Sequence, residues 1–163
     1  MFNGAPDRYD WTLVGKKEMY IPYNSYRVHS DQIKISDIIQ AGHVNPDLLR
    51  YELHRVWVVE ADLKKGTRHI YHKRVFHIDE DSWSISVVDN YDSRLEIWRP
   101  QEAHLINYYD QPLVAPTMEV VYDVQNGRYV AYGMTNEGDQ WSFNEKYSAE
   151  MFKPANLRRL GRR

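Results

Sequence analysis

The sequence predicts a mainly β fold: one curved antiparallel sheet of seven or eight strands in a meander, open or partly closed, with a few short helices. Three observations lead there. The run Tyr51–Val88 is dense in Val, Ile, Trp, Tyr and Phe, the residues that suit a pleated, half-buried surface, and two turn signals divide it into three. Gln125-Asn126-Gly127 stands between two further alternating runs and is the strongest local hairpin signal in the chain. Helix signals are confined to short capped stretches.

In order, Met1–Asp10 contains Asn3-Gly4-Ala5-Pro6-Asp7 and reads as a loose, turn-rich start. Trp11–Tyr20 alternates weakly and is expected to be a strand stopped by Pro22. An aromatic-rich connector follows over Tyr23–His29. Ser36–Gly42 has a cap and a closing glycine, and Asn45–Arg50 has a cap with proline at the first helical position. These two short helices precede the central hairpins and are expected to lie across the sheet as a lid.

The central strands are expected at Tyr51–Leu63, Arg68–Ile78 and Ser82–Val88. Lys64-Lys65-Gly66-Thr67 forms a hairpin with a bulge, and Asp79-Glu80-Asp81-Ser82 is a turn whose side chains bond their own backbone. After a turn at Asp89–Ser93, Arg94–Tyr108 reads as one long strand bent at Pro100. Asn107–Pro116 is a loop, Thr117–Val124 and Arg128–Thr135 are the arms of the Asn-Gly hairpin, and Gln140–Asn144 is a short last strand. Ser148–Phe152 and Pro154–Leu160 are helical turns.

A strand sends alternate residues to opposite faces. Leu53, Arg55, Trp57, Val59 and Ala61 therefore share one face. In the usual register Ile70, His72, Arg74, Phe76 and Ile78 join them, followed by Trp83, Ile85 and Val87. The other face carries Glu52, His54, Val56, Val58, Glu60, Tyr71, Lys73, Val75 and His77. A slip of one residue would exchange the two sets. The first face is aromatic and apolar with arginines set into it, which suits a concave surface covered by helices, a ligand or a partner. Arg55, Arg74 and Arg99 fall among the aromatics. Stacking of Trp57 with Arg74 and of Phe76 with Arg55 is one expectation; the other is that the arginines face a cavity and hold the anionic head of an amphipathic ligand.

At 163 residues the chain is expected to be one domain, able to bury roughly 70% of its unfolded surface. The formal net charge of -2 argues against a generally basic, nucleic-acid-binding protein. The basic end Arg158–Arg163 reads as a solvated tail, with an anionic lipid surface or nucleic acid as the functional alternatives. There are no cysteines, so disulfide, thiolate-metal and thiol-nucleophile chemistry are excluded. No apolar run reaches about 18 residues, so no membrane-crossing helix is expected, and attachment would be peripheral at most. The first residues lack the order of a secretory signal, so a leader would have been removed or lie upstream.

Seven histidines raise the question of a metal. His69 and His77 are separated by roughly 27 Å of strand and do not converge on one ion. His54 opposite His77 is half a site at best, so no metal and no cofactor is expected. The acidic turns at Asp79–Asp81 and Asp89–Asp92 lack the glycine and terminal glutamate of the known calcium loop. Glu52 and Glu60 are too far apart for paired acid–base work, and no phosphate-loop, zinc-protease or nucleophile-elbow motif occurs.

The strings Arg50–Val59 (RYELHRVWVV), Gly66–Tyr71, Lys73–Phe76, Ile78–Trp83, Trp11–Asn24, Glu102-Ala103-His104, Asn107–Asp110, Glu119–Asp123 and Leu157–Gly161 resemble a Gram-negative family. It is catalogued as a domain of unknown function and labelled outer-membrane lipoprotein-sorting-like. The resemblance implies a fold similar to the lipoprotein carriers LolA and LolB, an incomplete antiparallel half-barrel whose concave side is plugged by helices and takes acyl chains. It also implies that this chain is the C-terminal portion of a longer protein, with an open sheet edge that invites pairing with a second copy. It carries over no catalytic residue.

The function expected on these grounds is non-enzymatic: a carrier domain for lipid, lipoprotein or another apolar ligand, in the periplasm or on the periplasmic face of the outer membrane. Arg55, Trp57, Arg74, Phe76, Trp83, Ile85 and Val87 are the expected ligand-binding residues. The alternative is an interaction module docking on an envelope or transport protein. An enzyme acting on an envelope lipid would need a cluster of perturbed side chains, with His54, His77 and Glu52 as its first candidates.

Overall fold

The computed structural model describes residues 1–143 and 145–161. Seven strands form a single antiparallel sheet in strict sequence order: β1 (Tyr9–Pro22), β2 (Tyr51–Leu63), β3 (Lys73–Asp79), β4 (Ile85–Tyr91), β5 (Gln101–Tyr108), β6 (Leu113–Asp123) and β7 (Arg128–Tyr132). The sheet does not close. β1 and β7 are its edges, although β1 also approaches β4 and β5, which requires the sheet to curl. Among the described residues helix is limited to α1 (Tyr26–His29), α2 (Ile35–Ile38), α3 (Pro154–Leu160) and three 3-10 turns. Among the described residues no helix is long and apolar enough to cross a membrane.

β2 has the span its composition predicts. β3 starts at Lys73, five residues later than the pattern of Arg68–Ile78 suggests, because Lys64–His72 is a loop rather than a tight hairpin. Gly66 still supplies the positive φ expected of it, at 82°. β5 begins only after Pro100, which has no amide hydrogen to give to a ladder. Gln140–Phe143 form no strand, and Asn144 lies outside the described residues. So do Arg162 and Arg163 of the basic end.

Three apolar clusters hold the sheet. Ile21, Tyr23, Val56, Val58, Val75, Ala103 and Leu105 form one. Tyr9, Ala61, Phe76 and Val88 form a second, covered by Met1 and Phe2. The third joins Val28, Ile38, Val44 and Leu48 of the helical connector to Met118 and Val120 of β6. The short helices therefore lie on the sheet at its β6 end and leave the central hairpins uncovered. Their anchor points are local: Asn45 Oδ1 accepts from the Asp47 amide at 3.1 Å to cap its 3-10 turn, and Asn136 Nδ2 donates to the Val28 and Ser30 carbonyls at 2.7 and 2.8 Å.

Two irregularities decide which face each candidate residue occupies. In the β3–β4 pair Phe76 is opposite Val88 and His77 opposite Val87, but Ile78 is opposite Ile85, so Ser86 is a bulge. In β1 the register shifts between Leu13 and Gly15, which makes Val14 the extra residue.

Candidate functional site

The β2–β3 register is the expected one: Trp57 opposite Ile78, Val59 opposite Phe76 and Ala61 opposite Arg74. Because facing residues of an antiparallel pair share a side, this face continues into β1 through Trp11 opposite Ala61 and Leu13 opposite Val59, and into β4 through Ile85.

Arg74 is the anchor of this face. It is only 4% exposed, yet among the described residues no carboxylate pairs with it. Its Nε donates to Asn90 Oδ1 at 2.8 Å and its Nη2 to the Met1 carbonyl at 3.1 Å. Three rings surround the guanidinium, with Phe76, Phe2 and Tyr71 centred 4.9, 5.2 and 5.4 Å away. Burial pulls its pKa below the ordinary arginine value, against a smaller opposing pull from Tyr9 and Tyr71, and the guanidinium stays charged. Arg99 makes the contrast plain: it stacks over Trp98 at 4.3 Å but is neutralised by Asp123 at 3.0 Å.

A cavity of about 250 Å³ opens beside Arg74, walled by Phe2, Arg8, Tyr9 and His69 and by the backbone turn at Gly4–Ala5. Two arginines face one carboxylate there, that of Asp7. Burial and then the two arginines hold His69 below its usual pKa, so it is neutral at physiological pH. The Tyr71 amide donates to His69 Nδ1 at 3.0 Å, which leaves the ring proton on Nε2. Buried Tyr9, half-buried Phe2 and the exposed His69 ring thus frame a cavity that holds two guanidinium groups and one carboxylate.

The seven predicted residues separate into groups. Arg74 and Phe76 are buried together under Phe2, which stands edge-on to Phe76 at 5.9 Å and to Trp11 at 5.6 Å. Trp57 and Ile85 are half-buried on the same face. Arg55 is also on that face but pairs with Glu80 at 2.7 Å, and Glu80 also takes Lys16 at 2.6 Å. Lys16, not Arg74, lies over Trp57, 4.2 Å from the ring centre, so the expected Trp57–Arg74 and Phe76–Arg55 stacks are replaced by these contacts. Val87 is on the opposite face from Phe76, packed on the Val56–Val75 cluster, because the Ser86 bulge reverses the alternation. Trp83 is not in a strand. It occupies the β3–β4 turn with φ of 56° and is 70% exposed. His54 does not face His77 either, since Val58 does.

Phe2, Arg8, Tyr9 and His69 complete the cavity; the first three come from a segment that reads as loop, and His69 from the stretch expected to begin the second central strand, which is loop in the structure. A signal was present: two aromatics and an arginine within the first nine residues are more than a solvated leader needs.

A sequence model of the family described as "Protein of unknown function (DUF1329)" matches residues 1–158. An uncharacterized protein of Pseudomonas aeruginosa is 55% identical over 162 residues, which is 99% of this chain and 36% of that protein. The crystal structure of a DUF1329 family protein from Desulfovibrio piger matches 93% of this chain and 48% of its own, with a TM-score of 0.47 at 17% identity. A domain from Vibrio parahaemolyticus named for outer membrane lipoprotein sorting matches 77% of this chain and 39% of its own, with a TM-score of 0.45 at 11% identity. The chain thus spans about a third of the curated relative's length.

Proposed function

This chain belongs to the DUF1329 family, and we propose that it is a non-enzymatic binding domain of the Gram-negative cell envelope that takes the anionic head of an amphipathic, lipid-like ligand at Arg74. The observation that carries this reading is a buried arginine with no carboxylate partner among the described residues, set in the wall of a cavity that adds Arg8. Buried charges are ordinarily paired. A carboxylate or phosphate entering the cavity supplies that pair.

The apolar part of such a ligand has a path. Trp11, Leu13, Val59, Trp57, Ile78 and Ile85 are adjacent by register and form a half-open strip leading away from the cavity. A chain lying on it gains up to about 0.8 kcal/mol per covered CH₂, less where one side stays wet. Periplasmic residence, carriage of lipid or lipoprotein and peripheral association with the outer membrane belong to the same proposal.

The test is native mass spectrometry with solvent extraction on protein made in a Gram-negative periplasm, followed by titration with a fluorescent fatty acid and the matching fatty alcohol. The expected result is one bound amphiphile per chain and at least tenfold preference for the acid, reduced in Arg74→Gln and in the exposed-site variant Arg8→Gln. No adduct and no probe binding would overturn the carrier reading. Equal binding of acid and alcohol would remove the arginines from it.

A second reading rests on β1. From Asp10 to Glu18 this strand is exposed on both faces apart from half-buried Gly15, and among the described residues its outer edge is unpaired in the sheet. An envelope or transport protein, or a second copy of the chain, adding a strand there would make this an interaction module. The same native spectrum counts protomers and distinguishes the two.

A further inference from the structure

We propose that His54, Asp79 and Asp81 form a binding site for one divalent metal ion of the zinc or manganese class, separate from the Arg74 cavity. The sheet builds the site. Val56 is opposite Asp79 in the β2–β3 register, so His54, two residues back on the same face, meets the turn that follows β3. One ligand atom from each of the three residues lies within 4.8 Å of the others. His54 Nδ1 is 2.8 Å from Asp79 Oδ1 and 4.0 Å from Asp81 Oδ2. An ion about 2.0–2.2 Å from each ligand needs them roughly 3–3.5 Å apart, so only small rotations separate this arrangement from a coordinating one. Asp81, with its side chain 75% exposed, is free to make them.

The imidazole is supported as metal-binding histidines are. Its Nε2 lies 3.6 Å from Glu52 Oε2. Glu52 is fixed in turn by Asn24 Nδ2 at 2.9 Å and Arg50 Nε at 2.8 Å, and the Tyr23 ring packs 4.4 Å from the imidazole. A carboxylate behind the far nitrogen orients the ring and raises its basicity toward a metal at Nδ1. The charge also asks for a cation. Asp79 is fully buried, and among the described residues neither Asp79 nor Asp81 pairs with a lysine or arginine. Glu80, between them, turns to the other face to meet Lys16 and Arg55. The negative potential reaches Tyr23, whose pKa is pushed up to about 12 by burial, then by Asp79, Asp81 and Glu52.

The metal takes the Nδ1 lone pair of the neutral ring, whose proton then sits on Nε2 toward Glu52, and protons compete with the metal for the imidazole and the two carboxylates, so binding weakens as pH falls. The test is native mass spectrometry and calorimetry of the full chain with ZnCl₂ and with MnCl₂, followed by Co²⁺ absorption. Expected are one ion per chain with a dissociation constant on the order of 10 μM or tighter, at least tenfold weaker binding in Asp81→Asn, and loss of the Co²⁺ ligand-field band in that variant. Asp81 is exposed, so Asp81→Asn folds even where Asp79→Asn does not. His54→Gln, checked by circular dichroism, gives the same loss. Retention of no metal, or binding unchanged in both Asp81→Asn and His54→Gln, overturns the site and leaves the His54–Asp79 bond as a latch between β2 and the turn.

Discussion

Arg74 Nε donates to Asn90 Oδ1 at 2.8 Å across the β3–β4 pair, and Asn90 Nδ2 passes the connection on to the Arg99 carbonyl at 2.7 Å. Both Arg74 and Asn90 are buried. One amide side chain thus tethers the unpaired guanidinium to the segment that enters β5.

Asn90→Ala removes that acceptor and leaves a buried charged donor short of a partner. Hydrogen bonds to charged groups contribute about 1.5–3 kcal/mol, and stranding the charge adds to the loss. Asn90→Ala is therefore expected to lose about 2–4 kcal/mol in urea denaturation. At this chain length that is a fall in Tm of roughly 5–12 °C.

Trp83 holds a left-handed backbone conformation that costs a bulky residue about 1–2 kcal/mol, and its exposed side chain returns little packing. Trp83→Gly is expected to raise stability by about 1 kcal/mol in the same assay. A simultaneous loss of fatty-acid-probe affinity is expected if the strained tryptophan is kept for binding, and affinity unchanged in the stabilised variant would remove it from the ligand path.

Phe2→Ala uncovers Phe76 and one face of Arg74. The loss of stability is expected to be about 1–2 kcal/mol, because Phe2 is only half-buried. Emission from Trp11, which loses its edge-on neighbour, should move to the red.

His104 predicts the pH response. It is fully buried with no hydrogen-bond partner at either ring nitrogen among the described residues, and burial lowers its pKa from 6.5 to about 4. Between those values the unfolded chain binds a proton that the folded chain refuses, so stability is lost as pH falls through this window, by up to about 3 kcal/mol. Glu102, 3.7 Å away, opposes this. Burial raises its pKa, so its folded form takes up a proton before the unfolded one does. Urea midpoints at pH 7 and 4.5 should fall less in His104→Leu than in the parent chain.

Much of the sheet was legible in the residues themselves. Tyr51–Leu63 and the Asn126-Gly127 turn stand where pattern and turn chemistry put them, and the β2–β3 register follows from alternation. What alternation does not contain is an inserted residue. Ser86 and Val14 each shift a register, and nothing in Ile85-Ser86-Val87-Val88 marks Ser86 as the extra one, so Val87 lies on the face opposite to that expected. The candidate site was half legible. Arg74 and Phe76 came from strand pattern, but Phe2, Arg8 and His69 reach it through tertiary contacts of irregular segments, which have no period to read. His54 and the Asp79–Asp81 turn were each visible, and only the register shows that they meet.

The strictly sequential strand order has a kinetic consequence. Five of the six strand pairs join neighbours across short connections, whereas β1 meets β2 only after the chain has run from Tyr23 to Arg50. Closing that loop carries the largest entropic cost of any pairing in the sheet. The β2–β7 meander is thus expected to zip up first and β1 to dock late. Tyr9 opens β1 and Phe2 and Arg8 precede it, so the cavity beside Arg74 is among the last features of the fold to come into being.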